Sequence, residues 1–107
     1  MKIGLIGTNW GRVHCGTFGR WGHRIDTILG SDPEKTRRVA AEEAILHAAS
    51  DPRELDDMDI IVIASPYHTH GAYIDMFRDK WLLCEKPLAG TVPGVERIGA
   101  SVPLNLY

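Results

Sequence analysis

The chain has 107 residues, 44% of them hydrophobic and 24% charged, which is room for one small core and an ordinary globular balance. A net charge of −2 gives no sign of the strongly basic balance that suggests a nucleic-acid partner. No run of ~18 apolar residues marks a membrane span.

The elements follow in order. Lys2 to Ile6 is a short apolar run closed by Gly7, and it reads as a strand rather than as a signal peptide. Gly11 to Arg20 is an expected helix, weakened by Gly16 and Gly19. Cys15, within it, stands far from Cys84 in neither a metal nor a disulfide spacing, as in a reduced cytoplasmic protein. Arg24 to Leu29 is a second strand. Pro33 suits the first turn of the next helix, capped by Asp32 or Ser31 and running to about Ala44. Ile45-Leu46-His47 is a very short third strand, and Asp51-Pro52 opens a short helix to Leu55.

The run Ile60-Ile61-Val62-Ile63 is β-branched throughout, as expected of a parallel strand covered on both faces. It predicts near-complete burial of Ile61 and Ile63, together with Ile60 or Val62. Gly71 to Lys80 reads as a helix with Tyr73, Ile74 and Phe77 on one face. Trp81 to Cys84 is a fifth strand, Thr91 to Ile98 a helix, and Val102 to Tyr107 a last strand. This alternation predicts βαβ units: a single-domain α/β three-layer sandwich over 1–107, with a Rossmann-like, mostly parallel sheet.

Open α/β sheets bind ligands at the carboxyl ends of their strands, so the turns after the strands hold the candidate site. The first is Gly7-Thr8-Asn9-Trp10-Gly11. A glycine turn entering a helix lets backbone N–H groups face a pyrophosphate, and Arg12 could add charge at the rim. The loop lacks the middle glycine of G-x-G-x-x-G and is one residue short. Dinucleotide binding and a plain tight turn therefore both stay open there. After the second strand, Ser31 and Asp32 stand where a ribose would lie. Asp32 could accept from the ribose hydroxyls or merely cap the helix. Ser31, with Arg37 or Arg38, could instead take a 2′-phosphate, so the choice of NAD or NADP is open.

Ser65-Pro66-Tyr67-His68-Thr69-His70 follows the buried strand. Two histidines without a nearby cysteine or carboxylate make a poor metal site, and no metal is expected. His70, just before a helix, suits a local structural hydrogen bond. His14, His23 and His47 read as surface or packing residues.

Glu85-Lys86-Pro87 carries the most information. A strand that empties into a lysine places a positive charge at the ligand-binding edge. There it can stabilise negative charge developing on a carbonyl or hydroxyl oxygen, or help pass a proton. The plain alternative is a solvated lysine paired with Glu85. The Lys86-Pro87 bond could be cis.

Three segments, residues 3–14, 59–70 and 83–89, together resemble the amino-terminal domain of the glucose–fructose oxidoreductase, inositol dehydrogenase and rhizopine-catabolism (Gfo/Idh/MocA) family. The resemblance implies a Rossmann domain that binds NAD or NADP. It places Gly7, Thr8, Asn9, Trp10 and Gly11 near the pyrophosphate, and Ser65, Pro66 and His70 along the cofactor cleft. Glu85 and Lys86 fall at the nicotinamide end, with Lys86 as the catalytic-site lysine. Members of this family continue into a substrate-binding α/β domain, and this sequence stops about where the cofactor domain would end. The expectation is an oxidoreductase half, completed by a separate substrate-domain polypeptide, by self-association or by further sequence. The alternatives are a non-catalytic dinucleotide-binding module and a small interaction domain.

Overall fold

A computed structural model describes residues 1–86, 89–90 and 92–101. Five strands form one sheet in the order β3-β2-β1-β4-β5. They are β1 (Ile3–Ile6), β2 (Ile25–Leu29), β3 (His47–Ala49), β4 (Ile60–Ile63) and β5 (Trp81–Cys84). Every neighbouring pair is parallel. The helices are α1 (Gly11–Arg20), α2 (Pro33–Glu42), α3 (His70–Met76) and α4 (Val92–Ser101), with 3₁₀ turns at Pro52–Leu55 and Tyr67–Thr69.

The sheet is covered on both faces, and two of its inner strands, β1 and β4, carry no polar side chain. In β4, Ile61, Val62 and Ile63 are fully buried and Ile60 is partly so. Alternation then divides them. Ile61 and Ile63 pack with Ile74, Phe77 and Ile98 of the α3–α4 layer. Val62 packs with Leu5, Val39 and Ala40 on the α1–α2 side, where Cys15 and Phe18 close the layer. The expected three-layer sandwich is the observed one. In β2, Ile25 and Ile28 share a face although they stand three positions apart, an odd spacing that alternation would put on opposite faces. A register shift opposite Ile3 and Gly4 accounts for it, since it leaves Asp26 as an extra residue.

Three boundaries differ from expectation. The third strand is His47–Ala49, not 45–47. Helix α2 closes through Ala44 at φ 56°, and Ile45 N–H returns to Ala40 C=O at 2.8 Å. Ile45 is thus spent in the helix stop, where it plugs the core, and pairing starts two residues later. The helix expected at 71–80 begins with a 3₁₀ turn and ends at Met76. Phe77 turns inward to 1% exposure, and Lys80 N–H closes a turn onto its carbonyl at 2.9 Å. The helix expected at 91–98 is observed at Val92–Ser101. The strand expected at 102–107 and the Lys86-Pro87 bond lie outside the described residues.

The sheet order has a functional consequence. From β1 the chain steps to β2 and β3 on one side, then crosses to β4 and β5 on the other. The crevice between the ends of β1 and β4 is therefore a topological switch point, the place where such sheets take ligands.

Candidate functional site: the carboxyl edge of the sheet

Gly7 is the hinge of the site. Its φ is +116°, and a Cβ there would sit 2.6 Å from the Ala64 carbonyl oxygen. Its N–H donates to Leu29 C=O at 2.9 Å, while Ala64 N–H donates to Ile6 C=O at 2.8 Å. Only a glycine lets the exits of β1, β2 and β4 meet so closely. Gly11 does the other glycine task of such turns, since it is buried and a Cβ would press on Leu5. Helix α1 begins at this turn with no side-chain cap and no acidic residue in its first turn. Its positive end is left to face an anion.

Asn9 occupies the place of the missing middle glycine. Its Oδ1 accepts a hydrogen bond from Lys35 Nζ of α2. A cation is thereby drawn to the Gly7–Gly11 turn from the neighbouring helix. Arg12, the expected rim charge, is turned away instead. It pairs with Glu42 at 2.7 Å and Glu43 at 3.1 Å, and those carboxylates raise its pKa.

Two adjoining cavities run along this edge. The larger, about 450 Å³, is lined by Gly7, Thr8 and Asn9 on one side and Ser31, Asp32 and Lys35 on another. Ser65 and Pro66 form its boundary with the second cavity, of about 370 Å³, which is lined by Trp10, His70, Glu85 and Lys86. Eleven of the twelve candidate residues line one or both of these cavities. Trp10, 71% exposed, faces the second cavity rather than the first. Gly11 lies beneath the turn and lines neither.

The capping expected of Asp32 is present at the second strand's turn. Asp32 Oδ1 accepts from Glu34 N–H at 3.1 Å and Lys35 N–H at 3.3 Å, so it holds the start of α2. Among the basic residues near this corner, Lys35 lines the cavity; Arg37 and Arg38 are exposed and do not. Gly30 keeps the corner open, because a Cβ there would collide with Thr36 Oγ1 and Thr8.

The Ser65–His70 turn is internally braced. Ser65 Oγ and Thr69 Oγ1 lie 2.6 Å apart, and Thr69 Oγ1 donates to Pro66 C=O at 2.7 Å. His70 is 1% exposed, and its Nε2–H donates to Ser65 C=O at 2.8 Å, the local structural role expected of it. No group of three His, Cys, Asp or Glu side chains converges to hold a metal among the described residues.

Glu85 and Lys86 close the far end. Glu85 N–H donates to Ile63 C=O at 2.8 Å, which continues the β4–β5 ladder one step past the strands. Its carboxylate does not pair with Lys86. It reaches α1, where His14 Nε2 lies 2.6 Å from Glu85 Oε1. His14 is therefore neither a surface nor a mere packing residue. The sequence holds a faint sign of this, because His14 follows Trp10 by four residues and so shares its helix face. Lys86 is exposed, with no carboxylate partner among the described residues.

The neighbouring Cys84 is half-buried, and its thiol is pushed up to about 11, first by burial and then by the Glu85 charge. At pH 7.5 it should alkylate more slowly than a free thiol of pKa ~8.5 by two orders of magnitude or more. Peptide-resolved iodoacetamide labelling checks this. The rate should climb with pH toward 11 in the native protein and rise at once in urea. Fast labelling of native Cys84 at pH 7.5 would contradict the burial.

A parallel sheet with a glycine-hinged cleft at its switch point defines a dinucleotide-binding α/β domain. The family model for "Oxidoreductase family, NAD-binding Rossmann fold" (Gfo/Idh/MocA) matches residues 1–103, and the chain belongs to that family. Its cofactor class is accordingly NAD or NADP. Inositol 2-dehydrogenase 1 of Saccharopolyspora erythraea is 38% identical over 111 residues, covering 94% of this chain and 32% of that protein. The scyllo-inositol 2-dehydrogenase (NADP(+)) IolU of Bacillus subtilis is 29% identical over 112 residues, covering 98% and 34% respectively. The structure of myo-inositol dehydrogenase from Lactobacillus casei, in complex with NAD(H) and myo-inositol, superposes with a TM-score of 0.83. It is 27% identical and covers 94% of this chain and 32% of that one. The chain spans about a third of the length of the relatives it matches.

Proposed function

We propose that this chain is the cofactor-binding part of an oxidoreductase acting on a sugar, polyol or related carbonyl or imine. The carrying observation is the convergence of the Gly7 turn, the Ser65-Pro66 turn and Glu85-Lys86 on one continuous cleft. The residues fit a dinucleotide. Gly7 and Gly30 let the turns around the cleft pack closely, since a Cβ at either would collide with Ala64 or with Thr36 and Thr8. The uncapped start of α1 and the Lys35 ammonium supply positive charge where a pyrophosphate would lie. In this reading Thr8 and Asn9 hold the pyrophosphate and Ser31, Asp32 and Lys35 flank the adenosine ribose. Ser65, Pro66 and His70 wall the middle of the cleft, with Trp10, Glu85 and Lys86 at the nicotinamide.

The bound cofactor would supply or accept the hydride. The chain's own contribution is Lys86, an ammonium at the cleft mouth that stabilises negative charge on the substrate oxygen. A substrate-binding partner is needed to close over that ammonium. It is furnished by further sequence, by a separate polypeptide or by self-association. The relatives' threefold greater length and the exposure of Lys86 support this. A cytoplasmic location suits the free thiols of Cys15 and Cys84. No helix among the described residues is long and apolar enough to cross a membrane.

Titration with NADH and NADPH is expected to quench Trp10 emission saturably, since the indole lies on the nicotinamide cavity. Trp10→Phe should remove much of the signal while calorimetric binding persists. Absence of both heat and quench with millimolar NAD, NADH, NADP and NADPH would defeat the assignment.

A further inference from the structure

We infer that His14 is a positioning residue: its bond to Glu85 fixes the width of the nicotinamide end of the cleft and keeps the Glu85 carboxylate off Lys86. This rests on the reading of the cleft as a dinucleotide site. The observation is the 2.6 Å contact between His14 Nε2 and Glu85 Oε1, which joins residues 71 apart in sequence. His14 is on α1, one turn beyond Trp10, and Glu85 is the first residue past β5. The bond therefore ties together the two walls of the 370 Å³ cavity that carry Trp10 and Lys86. The His14 side chain is 16% exposed and that of Glu85 36%, so the pair is shielded enough to hold.

The Glu85 backbone is already pinned to β4 through Ile63. What remains adjustable is where its carboxylate goes. With His14 present, the carboxylate is drawn toward α1 and the neighbouring ammonium is left unneutralised. Without it, the carboxylate is released into the cavity. There it would meet Lys86 beside a bound nicotinamide and neutralise that ammonium. The larger cavity at the adenosine end contains neither His14 nor Glu85. The consequence is selective: the pair should matter to a ligand that reaches the nicotinamide end and not to one that stops short of it.

Calorimetry with NADH and with ADP-ribose separates these cases, because ADP-ribose lacks only the nicotinamide. His14→Ala is expected to weaken NADH ~5–10-fold, the size of a lost charge-assisted hydrogen bond, and to leave ADP-ribose unchanged. His14→Gln, which restores an N–H donor toward Glu85, should recover most of the loss. Glu85→Ala removes the partner from the loop side and serves if the helix variant folds poorly. Combined with His14→Ala it should add little further loss. An unchanged ratio of NADH to ADP-ribose affinity in His14→Ala overturns the inference. An equal fall for both ligands does so too, since that is a fold effect. If the parent chain binds neither ligand, the dinucleotide reading itself fails and the role of His14 falls with it.

Discussion

Lys86→Met, in an assembly that carries a substrate-binding domain, is expected to lower kcat by about 10²–10³-fold, the cost of removing one preorganised charge from a developing oxyanion. Dinucleotide affinity should be nearly unchanged, because Lys86 sits at the mouth of the smaller cavity and not along the phosphate loop. The same reasoning makes the isolated 107-residue chain a poor catalyst. Hydride transfer needs reacting atoms held ~3–3.5 Å apart, and one wall of a cleft does not impose that geometry. The Lys86 side chain is exposed, and water screens an exposed ammonium severely. The chain alone should show little or no turnover with sugars, polyols or cyclic imines, using either cofactor in either direction. Addition of a complementary substrate domain should bring turnover out. Robust turnover by the isolated chain would refute the incomplete-site reading, and a fully active Lys86→Met assembly would remove Lys86 from the chemistry.

Sequence and structure agree where the information is local. Ile60 to Ile63 announces a central parallel strand, because only a strand covered on both faces tolerates four consecutive β-branched residues. Asp32-Pro33 announces a helix start, and the observed Asp32 bonds are those of a cap. The family resemblance placed Ser65, Pro66, His70, Glu85 and Lys86 on the cleft, and all five line its cavities. The information that failed is tertiary. His14 and Glu85 are linked only once α1 and β5 are set on the same edge, and no spacing rule reaches across 71 residues. Arg12 is basic at the right place in the chain, yet Glu42 and Glu43 at the end of α2 capture it. Lys35 replaces it from the other end of the same helix. Charge near a loop in sequence did not forecast charge near that loop in space, because long side chains follow their nearest counter-charge.

The largest stability effect is expected at Gly7. Gly7→Ala places a Cβ 2.6 Å from Ala64 O and 2.9 Å from Ser65 N, both backbone atoms. Ala64 cannot yield easily, since its own N–H is bonded to Ile6 in the β1–β4 ladder. The residue must also adopt φ +116°, which an L side chain rarely does. Strain of this kind costs ~1–3 kcal/mol, and the steric overlap adds to it, for a total of about 3–5 kcal/mol. That is a large share of the ~5–15 kcal/mol that holds a domain of this size together. The melting temperature should fall by at least about 10 °C. Gly16→Ala is the matched control. Gly16 lies inside α1, and nothing stands within 4 Å of its Cβ position. Alanine there should raise stability by about 0.5–1 kcal/mol through helix propensity alone. Thermal or urea unfolding of the two variants reads both signs at once. A Gly7→Ala protein that melts within a few degrees of the parent would show that β1 and β4 do not meet as closely at their exits as the cleft requires. The proposed phosphate site on that turn would then lose its physical basis.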